Sequence, residues 1–373
     1  MVFELASRGA QIILLTRHPP SDLFLVDYIQ DLRNSTNNQL IYAEQVDLSS
    51  LHSIRRFATK WVDNAPPRRL DMIILCADTL TPSRSRKLRT VDGLVEEWQV
   101  NYLSNFHLLS ILSPALRAQP PDRDIRVIFS TCSSYIGAPG RLDLQQTEGA
   151  EPFVPAKTMM GKTIPGKIQR PSQPVSKAPV NVYRMAKLSL MVFAQAFQKH
   201  LFSYQRPDKQ PMNARVLIVD PGFSRTPGTR RWLTGGSLWG LIIYLFTWPL
   251  WWLVLKSPQQ GAQSLLYAAM DSRFGRGPGG WMIKECKEVD FLRKEVRDDK
   301  IAKQLWEFSE QQIQAKEKES ATKRALAKKE QEAAATAASA TTTPSTQEGG
   351  TVESFELRQT QTPGSRRNRK TKA

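Results

Sequence analysis

Tyr183 and Lys187 stand four residues apart in the stretch "NVYRMAKLSL", a spacing that puts both side chains on one face of a helix. A tyrosine hydroxyl ordinarily titrates near pH ~10, too high to exchange protons at neutral pH. An ammonium group one turn away favours the phenolate and lowers that value. Such a pair can protonate a carbonyl oxygen, or deprotonate an alcohol, while a hydride moves. Alone the pattern is also that of an ordinary solvated helix face, so its surroundings decide its meaning. Upstream, "RVIFSTCSSYIG" reads as a strand ending in hydroxyl residues. Downstream, "ARVLIVDPGFSRTPG" reads as a strand ending in Pro221–Gly222, with Thr226 beyond. Further upstream, "VEEWQVNYLSNFHLL" places Asn101 inside a helix and "AEQVDLSS" places Asp47 at the end of a strand.

The elements that must hold these residues follow from hydrophobic patterning. Short β-branched runs at 11–15, 40–46, 72–75, 126–130 and 214–219 alternate with helical patterns at 23–34, 51–64, 91–117 and 182–201, the spacing of βαβ units. This alternation predicts an α/β fold, a doubly wound, Rossmann-like parallel sheet. Gly9 falls where a helix C-terminal cap is expected. The opening "MVFELASRGAQIILLTRH" lacks the order of a signal peptide and reads as the second half of a helix entering a strand, as if the fold began after its first strand.

The chain has 373 residues, 40% of them hydrophobic, enough for a sizeable core. Cys76, Cys132 and Cys286 are widely spaced and form neither a disulfide framework nor a metal pattern. His18, His52, His107 and His200 show no ligand spacing, so no metal is expected. The net charge of +17 suits an anionic membrane surface as well as nucleic acid. No nucleic-acid module is recognisable, so the membrane ranks first and no specific nucleic acid is expected.

With the motifs in this order, the chain resembles the short-chain dehydrogenase/reductase family over roughly residues 2–286, and within it the retinol-dehydrogenase-like and fungal lipid-associated members. The resemblance implies that Tyr183 is the general acid/base. Lys187 would lower its pKa and bind the nicotinamide ribose, and Asn101 would hold a water in the proton relay. Ser134, which fits a Ser-x-x-Gly pattern with Gly137, would orient the substrate oxygen. Ser133 follows close behind, and counting from Arg126 at the strand start lands on Thr131 or Cys132 instead. Asp47 would bind adenine, Ala77 would line the cofactor pocket, and Pro221, Gly222 and Thr226 would hold the nicotinamide side. Arg17, after the strand at 11–15, suits a 2′-phosphate, so NADP is expected over NAD.

Two departures stand out. The family's Gly-rich turn is not found before "VFELASRGA", and without those glycines a backbone cannot approach a pyrophosphate closely. The family's Asn-Asn-Ala-Gly reads Leu75-Cys76-Ala77-Asp78. These departures leave open a fold that serves as a non-catalytic scaffold.

Residues 232–255 carry no Asp, Glu, Lys or Arg and hold Trp232, Trp239, Trp248, Trp251 and Trp252, flanked by Arg230, Arg231 and Lys256. The length suffices to span a bilayer, but Gly235, Gly236 and Pro249 interrupt it, and tryptophan prefers the interface. A membrane segment, spanning or dipping, is expected here, which would admit an apolar, lipid-like substrate. Residues 139–180 read as a flexible insertion, 287–332 as a charged, solvated helix and 333–373 as a disordered basic tail.

Overall fold

The computed structural model describes residues 1–81, 88–139 and 178–340. The insertion expected at 139–180 therefore lies almost wholly outside the described residues, as does the tail from 341 onward. Of the described residues, those up to Thr322 form one compact unit and those from Lys323 a second.

Helix α1 (Val2–Ser7) runs into Gly9, whose φ of 81° gives the left-handed turn at its end. Then follow β1 (Ile12–Thr16), α2 (Leu23–Thr36), β2 (Ile41–Gln45), α3 (Leu51–Val62) and β3 (Met72–Leu75). The side chains of Asp22 and Ser50 accept backbone N–H groups at the starts of α2 and α3, satisfying donors that a helix start leaves free. A short helix α4 (Glu96–Trp98), a π-helical turn over Gln99–Leu103 and α5 (Ser104–Arg117) replace the single helix expected at 91–117. Strand β4 (Ile125–Ser130), helix α6 (Ala178–Phe202) and strand β5 (Ala214–Asp220) complete the expected alternation.

β4 and β5 are buried on both faces, as parallel strands with helices on each side should be. Val127, Phe129, Val216 and Ile218 face a core built with α5 and α6. Ile128, Leu217 and Val219 face the opposite core, with Leu265, Ala268 and Ala269. This period-two division between two packed layers makes the fold Rossmann-like.

The sheet comes in two pieces. β1 pairs in parallel with β2. The second piece has the order β3-β4-β5-β6-β7, in which β6 (Trp281–Lys284) is parallel to β5 and β7 (Lys287–Val289) antiparallel to β6. β1 and β3 each pair on one side alone among the described residues, and both are only half-buried despite their apolar sequences.

Three helices divide the apolar stretch after β5: α7 (Pro227–Thr234), α8 (Leu238–Phe246) and α9 (Trp248–Val254). Gly235 and Gly236, both at positive φ, end the first, and Pro249 opens the third. Among the described residues no helix is long and apolar enough to cross a membrane, which removes the single spanning helix allowed above. Helix α10 (Pro258–Met270) follows, started by a reciprocal Ser257–Gln260 cap.

The last helix also corrects the reading of 287–332. It starts later and runs further, as α11 (Asp299–Ala340), and one face of its first half is buried. Leu305, Ser309, Gln312 and Ile313 are buried, because they recur on one face at helical spacing. The Trp98 indole N–H donates to Gln312 Oε1 (2.8 Å), and the Tyr102 hydroxyl pairs with Ser309 Oγ (2.7 Å). Arg55 grips Glu317 through two hydrogen bonds of 2.5 and 2.6 Å, with the His107 ring 3.3 Å away. Burial works to raise the Glu317 pKa, but hydrogen bonding and charge from His107 and Arg55 outweigh it and hold the carboxyl down at about 2, against an ordinary 4.5. A depressed folded-state value means stability that is full above about 4.5 and is lost as pH falls toward 2. Glu317→Gln should lower stability by about 2 kcal/mol at neutral pH and remove that acid-side loss, as read from urea unfolding at pH ~7 and pH ~3.

Candidate functional site

Parallel strands bring their carboxyl ends to one rim, the edge where open α/β sheets bind ligands. Arg17 follows β1, Asp47 follows β2, Ala77 and Asp78 follow β3, Thr131 and Cys132 follow β4, and Pro221 and Gly222 follow β5. Helix α6 delivers Tyr183 and Lys187 to the same rim.

The Tyr183 hydroxyl donates to Asp78 Oδ2 at 2.9 Å and lies 3.3 Å from Cys132 Sγ. Lys187 Nζ sits 3.2 Å from Asp78 Oδ1 and 5.7 Å from the centre of the Tyr183 ring. Tyr183 and Lys187 are 7% and 3% exposed, so little water competes with these contacts. Burial first, and then the neighbouring Cys132 and Asp78, push the Tyr183 hydroxyl far above the usual tyrosine range. In this arrangement the lysine charge is engaged with Asp78 as well as facing the phenol.

Asn101 lies in the π-helical turn, a distortion frequent at functional sites. Its carboxamide makes two hydrogen bonds to one residue: the Thr79 N–H donates to Oδ1 and Nδ2 donates to the Thr79 carbonyl, each at 2.8 Å. Asn101 therefore clamps the backbone next to Asp78.

On the β4 side, Cys132, one of the alternatives to Ser134, lies within hydrogen-bonding distance of the Tyr183 hydroxyl. The count from Arg126 had included Cys132. A thiol is a weaker hydrogen-bonding group than a hydroxyl. Ser134 lies in the 3-10 turn Ser133–Gly137, and Ser133 donates to the buried Asp220 carboxylate at 2.5 Å while accepting from Lys284 Nζ at 3.0 Å. Asp220 also accepts the Gly222 N–H at 2.9 Å. Gly222 has φ of 76°, a left-handed backbone conformation that favours glycine.

The other expected residues are placed less tightly. Asp47 accepts the N–H and hydroxyl of Ser49 at 2.9 and 2.7 Å, a turn that leads into α3. Thr226 caps α7 through the Thr229 N–H. Arg17 and Ala77 are exposed at the rim. Asp78 itself was missed as a site residue; its signal was the departure at Leu75–Asp78. The donor set at Tyr183 and Lys187, a hydroxyl and a buried ammonium aimed at oxygen acceptors, suits the hydroxyls of a ribose.

Beside the rim, the Arg225 N–H donates to the Lys256 carbonyl and the Lys256 N–H to the Phe223 carbonyl, at 2.9 and 3.1 Å. The excursion from α7 to α9 thus leaves and returns at one point. It exposes Leu238 by 80%, Trp239 by 77% and Phe246 by 84%.

A Rossmann-like sheet with a Tyr–Lys pair at its carboxyl rim defines the dehydrogenase class of α/β protein. No family model matches the chain. It is 40% identical over 324 residues to an uncharacterized oxidoreductase of Schizosaccharomyces pombe, covering 87% of this chain and 80% of that one. It is 27% identical over 310 residues to retinol dehydrogenase 13 of Mus musculus, covering 81% and 76%. A crystal structure of an uncharacterized protein from Mycobacterium paratuberculosis shares the fold, with a TM-score of 0.51 at 21% identity, covering 84% and 87%. The chain belongs to the short-chain dehydrogenase/reductase family and is an oxidoreductase; the scaffold alternative is not favoured.

Proposed function

We propose that the protein is a membrane-associated, NADP-dependent oxidoreductase that interconverts a carbonyl and an alcohol on an apolar, lipid-like substrate. The observation that carries this reading is the buried Tyr183–Lys187 pair, within contact distance of Cys132 and Asp78, at a rim flanked by the exposed apolar excursion. When bound, the nicotinamide group supplies or takes up the hydride. Tyr183 gives its proton to the carbonyl oxygen as the bond to carbon forms, or takes it back from the alcohol. The Lys187 ammonium would hold the ribose hydroxyls and would stabilise negative charge on the phenol oxygen. The Cys132 thiol lies where it can touch the substrate oxygen, and Asn101 fixes the segment that carries Asp78.

The apolar substrate accords with the name of the retinol dehydrogenase relative and with the exposed face of α8 and α9, through which a bilayer-dissolved molecule could reach the rim. With both ends of the excursion hydrogen-bonded together, it dips into one leaflet and returns. Arg230, Arg231 and Lys256 would meet anionic headgroups, on the cytosolic face of the endoplasmic reticulum or a lipid droplet.

Arg17 supplies the preference for NADP, because a guanidinium can hold a 2′-phosphate bidentately. Arg17→Asp should weaken NADPH binding about tenfold and improve NADH binding, so that the preference reverses. Titration of both cofactors into both proteins checks this; unchanged affinities would remove Arg17 from the cofactor site.

A further inference from the structure

We infer that Asp78 is a positioning residue for Tyr183: its carboxylate holds the hydroxyl in its protonated, donor form and draws the Lys187 ammonium away from it. The inference rests on the reading of Tyr183 as the proton carrier and adds a control on it.

The geometry is that of a three-part bridge. One oxygen of Asp78 accepts from Tyr183 at 2.9 Å, and the other lies 3.2 Å from Lys187 Nζ. A tyrosine beside a lone lysine would be drawn toward the phenolate, since opposite charges attract. Here an anion stands between them, so ionising the phenol would put two negative oxygens within hydrogen-bonding distance of each other. The backbone beside Asp78 is anchored from the interior. Asn101, wholly buried in the π-helical turn, holds the backbone of the next residue, Thr79, through both its N–H and its carbonyl.

The charged and titratable groups facing Tyr183 have opposing effects. From the segment after β3 come Asp78 and the thiol of Cys76, which burial pushes up to about 11 against the opposing charge of Lys187. From the end of β4 comes Cys132. From α6 itself comes Lys187. Asp78 and Cys132 both act against the phenolate, in the same direction as burial. Asp78 is the one whose charge can be removed by a near-isosteric change without touching the protein interior, because its side chain is 41% exposed.

The consequence is kinetic and pH-dependent. At any pH the overall equilibrium fixes the ratio of kcat/KM in the two directions, so Asp78 cannot favour one direction. It sets the pH at which Tyr183 loses its proton, and therefore where the alkaline limb of carbonyl reduction falls.

The test is a tyrosinate absorbance titration of the whole chain, taken as the difference between each protein and the same protein carrying Tyr183→Phe. In Asp78→Asn, Tyr183 should ionise at least about one pH unit below its wild-type position, and the alkaline limb of kcat/KM for reduction should move with it. Asp78→Ala should give the same shift, and Asp78→Glu should restore most of the wild-type profile. Circular dichroism identifies any variant that fails to fold, and the remaining ones carry the comparison. A Tyr183 titration that moves while the kinetic limb stays fixed supports the control by Asp78 and counts against Tyr183 as the proton carrier. An unmoved Tyr183 titration in folded Asp78→Asn and Asp78→Ala overturns the inference.

Discussion

Tyr183→Phe should lower kcat for carbonyl reduction by about a thousandfold, within the range that a positioned proton donor contributes, while leaving cofactor affinity and fold in place. The ring is 7% exposed, and phenylalanine keeps its packing. What is lost is one hydroxyl, which donates to Asp78 and touches Cys132. Asp78 keeps its second partner, Lys187, and reaches solvent, so its carboxylate is not stranded. The stability change should therefore stay near the size of one net hydrogen bond, about 1 kcal/mol. Stopped-flow consumption of NADPH with an apolar aldehyde, alongside a thermal melt, reads both quantities. Turnover within about twofold of wild type, set against the hundredfold or more expected of a general acid, would remove Tyr183 from the chemistry.

Replacing Leu241, Ile242, Leu245 and Phe246 together with serine should move the protein from the membrane pellet to the soluble fraction. These residues are 38%, 44%, 60% and 84% exposed and lie on α8, whose only buried residue is Tyr244. Each contributes on the order of 1 kcal/mol when buried in hydrocarbon, since burial is worth about 25 cal/mol per Å² of apolar surface. The four together should change the partition by about a thousandfold. Solubility should improve without loss of the rim geometry, because the excursion closes on itself through Arg225 and Lys256. A variant that stays in the pellet would show that another surface holds the membrane.

Much of the fold was legible because its signals are local. Strands β3, β4 and β5 are β-branched runs, and their parallel order follows from the helices between them. β6 and β7 were not read. They are four and three residues long, and the turn between them is made by Glu285 and Cys286 at φ of 52° and 64°, where glycine or asparagine would have marked a hairpin. Helix α11 was read as solvated because charges dominate its composition. Its burial depends on a few side chains, Leu305, Ser309, Gln312 and Ile313, whose partners lie about two hundred residues away in sequence for Trp98 and Tyr102.

The site was legible in its pair and not in its surroundings. Tyr183 and Lys187 carry a fixed spacing on one helix, which sequence displays directly. Cys132 and Asp78 reach Tyr183 from two different strand ends, and no spacing relates them to it. The choice of Ser134 followed a serine pattern, whereas the geometry depends on how far β4 runs before the chain turns. Asn101 lies in a π-helical turn and bonds Thr79, and no spacing in the sequence displays either feature.

The central claim, that Tyr183 and Lys187 form one wall of a nicotinamide site, is tested most directly by calorimetric titration of NADPH into the purified protein and into Lys187→Ala. The account predicts saturable one-to-one binding to the wild type, weakened about tenfold or more when the buried ammonium is removed. Equal binding to both proteins, or heat indistinguishable from dilution in the folded wild type, would contradict it.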